Sequence, residues 1–414
     1  MIAELKRLFK WLYPGIGIKR WIGLSAFGVI LLVIGSSGLR SEEFFILQIF
    51  DLVLLASGIV ILILGFKRLM SSLINAIIPS SRANELVDIL YQRRQLARGP
   101  RIAAVGGGTG LSMLLTGLKE YSSNITAIVT VADDGGSSGR LRQQFDILPP
   151  GDIRNCLVAL ADASTMMRDL FQFRFDSGSE LAGHSFGNLF ITVMTRLTGG
   201  DFEKAIRETS KVLALRGQVI PSSLSNVTLA AEYTDGSVVE GENKIPKGNK
   251  PIKRVYLRPE HPAPAPEAIK AIEEAEIIVL GPGSLYTSII PNLLIKEITD
   301  KIVASKAIKV YVCNVMTQPG ETDGYSASAH IRALVEHSAP GIIDYCVVNT
   351  GKMPVQVLKR YEEGSAYSVV SDRKNIQSMG YRIIEEDTGS VSEGVIRHDH
   401  LKLAKIILSL QEEL

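Results

Sequence analysis

A chain of 414 residues that is 46% hydrophobic and 21% charged has apolar material for a large core and no disordered majority. A formal net charge of +2 argues against nucleic acid as the main partner, because proteins that bind it usually carry a strong basic excess on one face. Three scattered cysteines, Cys156, Cys313 and Cys346, show no CxxC spacing; they argue against a disulfide scaffold or zinc site and fit small buried residues in a reducing compartment.

The N-terminal segment differs in kind from the rest. Residues 21–39, WIGLSAFGVILLVIGSSGL, carry no charge and are about as long as a hydrocarbon core requires. A second apolar run, 44–66, holds Gln48 and Asp51 near its start. An ionised Asp costs about 2.5–3.5 kcal/mol at a bilayer centre, so Asp51 is expected toward the headgroups or protonated. Lys6, Arg7, Lys10, Lys19 and Arg20 precede the first run, Lys67 and Arg68 follow the second, and the connector RSEE sets one Arg against two Glu. The positive-inside rule then places both ends in the cytoplasm. We expect a two-helix transmembrane hairpin within residues 1–75, with a signal peptide or two buried helices as the alternatives. Residues 76–100, where Leu86, Ile89, Leu90 and Leu96 alternate with Arg93, Arg94 and Arg98, read as a basic juxtamembrane helix or a solvated linker.

From Arg101 to the C-terminus the pattern becomes strand, turn, helix. Ile102–Val105 is a short buried strand, Gly106, Gly107, Gly108, Thr109 and Gly110 make a turn, and Leu111, Leu114, Leu115 and Leu118 share one helical face. A second strand within 125–132 completes a βαβ start, so the expected fold is α/β, a Rossmann-like doubly wound sheet. A glycine turn entering a helix lets backbone N–H groups approach a phosphate. The dinucleotide fingerprint is broken by Leu111 where its last glycine belongs, and the Walker ending is absent, so an anionic ligand is expected and NAD is not.

Asp133 and Asp134 end the second strand, suited to ribose hydroxyls or a divalent cation. Ser137 and Ser138 follow in a flexible loop, with Arg140 and Arg142 available to anions. PPGDIRNC puts Asp152, Arg154 and Asn155 at a helix start, where Asp152 is either an N-cap or a ligand contact. His184 and Asn188 precede another helix; His184 is a hydrogen-bonding or acid/base candidate, or an ordinary capping or core histidine. Residues 277–288 repeat the first pattern: a strand, then Gly281, Pro282, Gly283 and Ser284, then a helix from near Leu285 presenting Tyr286, Thr287 and Ser288. A strand at 310–313 delivers Asn314, Thr317 and Gln318 to a loop, suited to base or sugar recognition. Between these, alternation on both sides of Asp235-Gly236 predicts a small β-hairpin insert.

GGGTGL (106–111), VADDGGSSGRLR (131–142), GDIRNCL (151–157), GHSFGNL (183–189), GPGSLYTSIIPNLL (281–294), CNVMTQPGETDGYSASAH (313–330) and RHD (397–399) together resemble the gluconeogenesis factor family. That family is similar in fold to the 2-phospho-L-lactate transferases. The resemblance implies binding of a nucleotide-sugar such as UDP-N-acetylglucosamine, and support of cell shape and envelope synthesis under gluconeogenic growth, with no settled reaction. The N-terminal hairpin departs from its usual soluble members and points to a membrane location.

The diphosphate is then expected at Gly106–Gly110 and Gly281–Ser284, ribose and sugar hydroxyls at Asp133, Asp134 or Asn314, and charge neutralisation at Arg140, Arg154 and Arg397. No metal or cofactor is expected; Mg²⁺ enters only in the alternative, a transferase that moves a phospho-acyl group from a nucleotide diphosphate to a hydroxyl. Candidate protein partners are an envelope-synthesis protein and a second copy of the chain.

Overall fold

Both apolar runs form long helices, α1 (Ile18–Gly38) and α2 (Phe45–Ile77), in the computed structural model, which describes residues 18–38, 45–77, 86–176, 178 and 180–411. By length and composition each is apolar enough to cross a membrane. They expose Phe27, Val33, Ile46, Leu52, Ile63 and Phe66, a surface suited to lipid rather than water. Small residues bring the helices together: a Cβ on Gly28 would fall 2.9 Å from the Leu62 nitrogen, and one on Gly58 3.0 Å from the Gly28 oxygen. Asp51 lies beside Gly38, the last residue of α1, so its carboxylate sits at the turn end of the pair. The RSEE connector and the basic residues before Ile18 lie outside the described residues.

The chain divides at Arg93 and Arg94 into two units, the second beginning inside α3 (Leu86–Ala97), where the juxtamembrane helix or linker was expected. β1 (Ile102–Gly106), α4 (Gly108–Leu118) and β2 (Ile125–Val129) form the expected βαβ start. A helical stretch follows, α5 (Gly136–Phe145), α6 (Gly151–Leu160), α7 (Thr165–Gln172), α8 (Phe186–Leu197) and α9 (Phe202–Val212), before β3 (Gln218–Pro221). The insert is a three-stranded antiparallel sheet, β4 (Thr228–Tyr233), β5 (Val238–Glu240) and β6 (Ile252–Arg258). Its hairpin turns at Asp235-Gly236 as expected; β6 is a third strand that hairpin reading did not include.

The second half runs α10 (Pro266–Glu274), β7 (Ile277–Leu280), a π-helical turn at Leu285–Ile289, α11 (Ile290–Leu293), α12 (Lys296–Ala304), β8 (Ile308–Val312) and α13 (Ala327–Glu336). It ends with β9 (Tyr345–Asn349), α14 (Val355–Glu363), α15 (Arg373–Ser378), β10 (Arg382–Glu386), the hairpin β11 (Gly389–Ser392) and β12 (Val395–His398), and α16 (His400–Ser409).

Seven strands make one parallel sheet in the order β10-β9-β8-β7-β1-β2-β3. Its central strands are buried on both faces, as helix-covered parallel strands must be: Ala103, Ala104, Val105, Ile278 and Val279 have no exposed surface. Connections leave β1 toward β2 and β7 toward β8, on opposite sides, so the order reverses between β1 and β7. Ligands of open α/β sheets bind outside the carboxyl ends of such strands.

The C-terminal helix α16 buries Leu403, Ala404 and Ile407 and crosses α4 at Gly117, where a Cβ would fall 2.0 Å from the His400 carbonyl oxygen. Gly117→Ala gains about 1 kcal/mol of helix propensity, whereas forcing a methyl against rigid backbone costs about 1–3 kcal/mol. We expect the clash to win and the thermal midpoint of Gly117→Ala to fall; an unchanged or raised midpoint in a melting series would show that α16 shifts freely.

Candidate functional site

The two glycine turns leave adjacent strands and meet. Gly107 is the extended N-cap of α4 and has no side chain to cap it, and Gly108 has φ +67°, a left-handed conformation that favours glycine. Asp152 accepts a hydrogen bond from the Gly108 N–H. Gly110 passes so close to the second turn that a Cβ would lie 2.5 Å from the Pro282 oxygen. The second turn is held from β8: Asn314 Oδ1 accepts from the Gly283 N–H at 3.2 Å, and Gln318 Nε2 donates to Ser284 Oγ at 2.6 Å. Asn292 Nδ2 donates to the Ser288 carbonyl at 2.8 Å and lies 3.2 Å from that of Gly106, tying the π-helical turn to the end of β1.

Above these turns opens a cavity of about 580 Å³, within the range for small-molecule sites. Its polar wall includes Thr109, Thr130, Ser284, Thr287, Ser288, Asn314, Thr317 and Gln318. The C-terminal part of the chain supplies an apolar flank, where Val315, Met316 and Ile396 pack with Val357 and Tyr361. Arg397 joins the wall from β12. Its neighbour His398 is buried, with Nε2 3.0 Å from the Cys313 carbonyl and Nδ1 2.9 Å from Thr388 Oγ1. A carbonyl only accepts, so Nε2 carries the proton; burial, the larger effect, pushes the imidazole down to about 4 and keeps it neutral. This pair of bonds pins β12, and with it Arg397, to the end of β8.

Of the residues singled out in the sequence, Gly107, Gly108, Thr109, Gly110, Asp133, Asp152, Gly283, Ser284, Asn314, Thr317, Gln318 and Arg397 line this cavity. Gly106 and Gly281 stand at the strand ends behind it, and the Gly281 N–H donates to the carbonyl of Val105, the residue before Gly106. Asp134 turns to the insert, accepting from the Asn243 N–H at 2.9 Å. Ser137, His184 and Asn188 form a buried network instead: Ser137 Oγ is 3.0 Å from His184 Nδ1 and 3.1 Å from Asn188 Nδ2. Ser138 is also buried, bonded to Asp133. Arg140 donates to the Ala182 carbonyl at 2.9 Å, outside the wall. Arg154 and Asn155 line a neighbouring cleft. The N-cap of α6 is Pro150, not Asp152, which stands one residue inside the first turn. Tyr286 faces Tyr325, hydroxyl to hydroxyl at 2.8 Å, rather than the cavity.

Sequence reading missed Glu242, Tyr361, Ile396 and His398. Glu242 opens the 3₁₀ turn Glu242–Lys244 after β5 and faces the cavity beside Asp133 and Asp152. Burial, and then the charge of Asp133, pushes Asp152 up to about 7 and Glu242 up to about 8. Asp133 is raised by the same burial. Among the described residues, no group of three or more His, Cys, Asp or Glu side chains is placed to share an ion. Mg²⁺ commonly uses one or two carboxylates with a nucleotide's phosphates, and Asp133 and Asp152 fit that donor set.

Residues 102–389 match the family 2-phospho-L-lactate transferase CofD. The chain is 50% identical over 318 residues to the gluconeogenesis factor of Bacillus subtilis, a match covering 77% of this chain and all of that one. A Nostoc sp. relative that carries the same designation provisionally is 48% identical over 433 residues, 98% of this chain and 93% of its own, so that match reaches into the N-terminal hairpin. The crystal structure of a Bacillus halodurans protein, 48% identical, superposes with a TM-score of 0.73, covering 75% of this chain and 100% of that one.

The raised carboxyls set a pH dependence. From about pH 4 to about pH 8 the folded chain binds more protons at Asp152 and Glu242 than the unfolded chain does, so their contribution to stability declines as pH rises through that window. Buried His398, held near 4, works in the opposite sense below about pH 6.5, so the readout is a difference: the thermal midpoint of Asp152→Asn with Glu242→Gln, relative to that of the wild type, is expected to rise with pH across the window in a melting series, and parallel slopes would refute the assignment.

Proposed function

We propose that this chain, which belongs to the 2-phospho-L-lactate transferase CofD family and within it to the gluconeogenesis factors, is a membrane-held regulator that binds a nucleotide-sugar of the UDP-N-acetylglucosamine type. The observation that carries the reading is the convergence of two glycine turns and Arg397 on one cavity. The first turn of α4, whose Gly108 N–H is taken by Asp152, offers its remaining N–H groups and the positive end of a helix to a diphosphate. Arg397 supplies the fixed charge. Asn314, Gln318 and Thr317 offer amide and hydroxyl partners, and Asp133, Asp152 and Glu242 accept from ribose or sugar hydroxyls.

The raised carboxyls suit that role, since a protonated carboxyl also donates. The apolar hairpin would hold the α/β unit on the cytoplasmic face, both chain ends inside, next to an envelope-synthesis partner. On this reading ligand binding reports sugar-nucleotide supply during gluconeogenic growth and adjusts cell shape through partner contacts.

A second reading draws on the three carboxylates beside the turns: a transferase moving a phospho-acyl group from a nucleotide diphosphate to a hydroxyl. Asp133 and Asp152 would hold Mg²⁺, which would supply charge neutralisation at the transferred phosphate.

Calorimetric titration of the detergent-solubilised full chain tests both. Micromolar binding of UDP-N-acetylglucosamine without turnover is expected, and GDP binding that requires Mg²⁺ with product formation would favour the transferase. Arg397→Ala and Asn314→Ala should each weaken the sugar nucleotide by roughly tenfold or more, the effect of losing a charged or buried hydrogen-bond partner; unchanged affinity in both would remove these residues from the site.

A further inference from the structure

Thr109, Met113 and Arg397 line a second, separate opening as well as the cavity described above. This neighbouring cleft, of about 660 Å³, lies along α4, α6 and α7. Five cations, Lys119, Arg154, Arg168, Arg174 and Arg397, stand on its wall against a single carboxylate, Asp169. Among the described residues none of the five enters an ion pair, although surface arginines elsewhere in the chain do, as Arg216 does with Asp162.

Arg154 lines the cleft and is only 7% exposed. Its Nη1 donates to Ser185 Oγ and Asn188 Oδ1, and its Nη2 to Asn155 Oδ1, all neutral acceptors. Its buried Nε has no hydrogen-bond partner, and neither has the buried Nε of Arg168. Burial lowers the Arg154 pKa to about 10; the charge of Arg174 adds to the effect, and the attraction of Asp152 and Asp133 is smaller. Lys119 is lowered too, by burial and by Arg168, and its ammonium donates to the Ala161 carbonyl. Five cations gathered with one carboxylate on the same wall are costly, unless an anion completes the site. The first turn of α7 opens on the same cleft at Thr165, and its N-cap Ser164 makes no side-chain cap bond.

We propose that this cleft is a second binding site, for a small phosphorylated anion. A phosphate group presents several acceptor oxygens in the geometry that guanidinium forks match. The cavity beside it is lined by carboxylates and the cleft by cations, so the two openings select ligands of different charge distribution. Arg397 stands on the wall they share.

Inorganic pyrophosphate, titrated into the detergent-solubilised full chain, is the probe. The pair Arg168→Gln and Arg174→Gln alters only the cleft, whereas Ser284→Ala with Asn314→Ala alters only the cavity. Pyrophosphate affinity is expected to fall by about tenfold or more in the cleft variant and to hold in the cavity variant. Arg168→Lys with Arg174→Lys should recover part of the loss by restoring charge. Equal affinity in wild type and cleft variant, loss only in the cavity variant, or no binding at millimolar pyrophosphate would each overturn the proposal. The readout is pyrophosphate and not a sugar nucleotide, so failure of the nucleotide-sugar reading would leave this result standing, and the reverse.

Discussion

β1 and β7 lie side by side and in register, Ile102 opposite Ile277 and Val105 opposite Leu280, so the turns that leave them have no room to diverge. That pairing obliges both turns to be rich in glycine. At Gly110 the neighbouring turn's Pro282 oxygen takes the space a side chain would need. Because main chain meets main chain here, hydrogen-bond donors at this edge of the sheet come from peptide groups fixed by the sheet itself. The surrounding side chains, Asn292, Asn314 and Gln318, serve chiefly to hold the turns in place.

Around this fixed centre the charges are divided. Asp133, Asp152 and Glu242 gather on the side toward the antiparallel insert, and Arg154, Arg168 and Lys119 toward α7. Asp152 and Arg154 belong to the same first turns of α6, two residues apart, and point to different openings. A helix advances about 100° per residue, so neighbours in such a run face different surroundings. One short segment therefore sets the sign of the field in two places.

The same helical geometry decides how much was legible in the sequence. Strands β1, β2, β7 and β8 announce themselves as short apolar runs ended by glycine or polar residues, and the turns after them are read directly from their composition. Residues on helices were read less well. Asp152, Arg154 and Asn155 looked like one cluster because they are consecutive, and Ser137, His184 and Asn188 looked like ligand contacts because polar residues at helix starts are common to both binding and capping. Only packing shows that the latter bond to one another. Glu242 and Tyr361 come from an insert and a late helix whose approach to the cavity leaves no local trace in the chain, while His398 stood inside the RHD motif from which only Arg397 was singled out. His398 is distinguishable from a surface histidine only once both ring nitrogens are seen to be engaged.

The position of α16 has a consequence for biosynthesis. α4 is among the first elements of the second unit to be made, yet the helix that covers its Gly117 flank is the last, and the hairpin bearing Arg397 comes just before it. Contacts of such long sequence separation form slowly, since the intervening chain must be ordered first. A nascent chain would thus carry its two apolar N-terminal helices out of the ribosome well before its cavity had a complete wall. The two apolar helices and the completed cavity wall are separated in time, and a polypeptide released early would carry the first without the second.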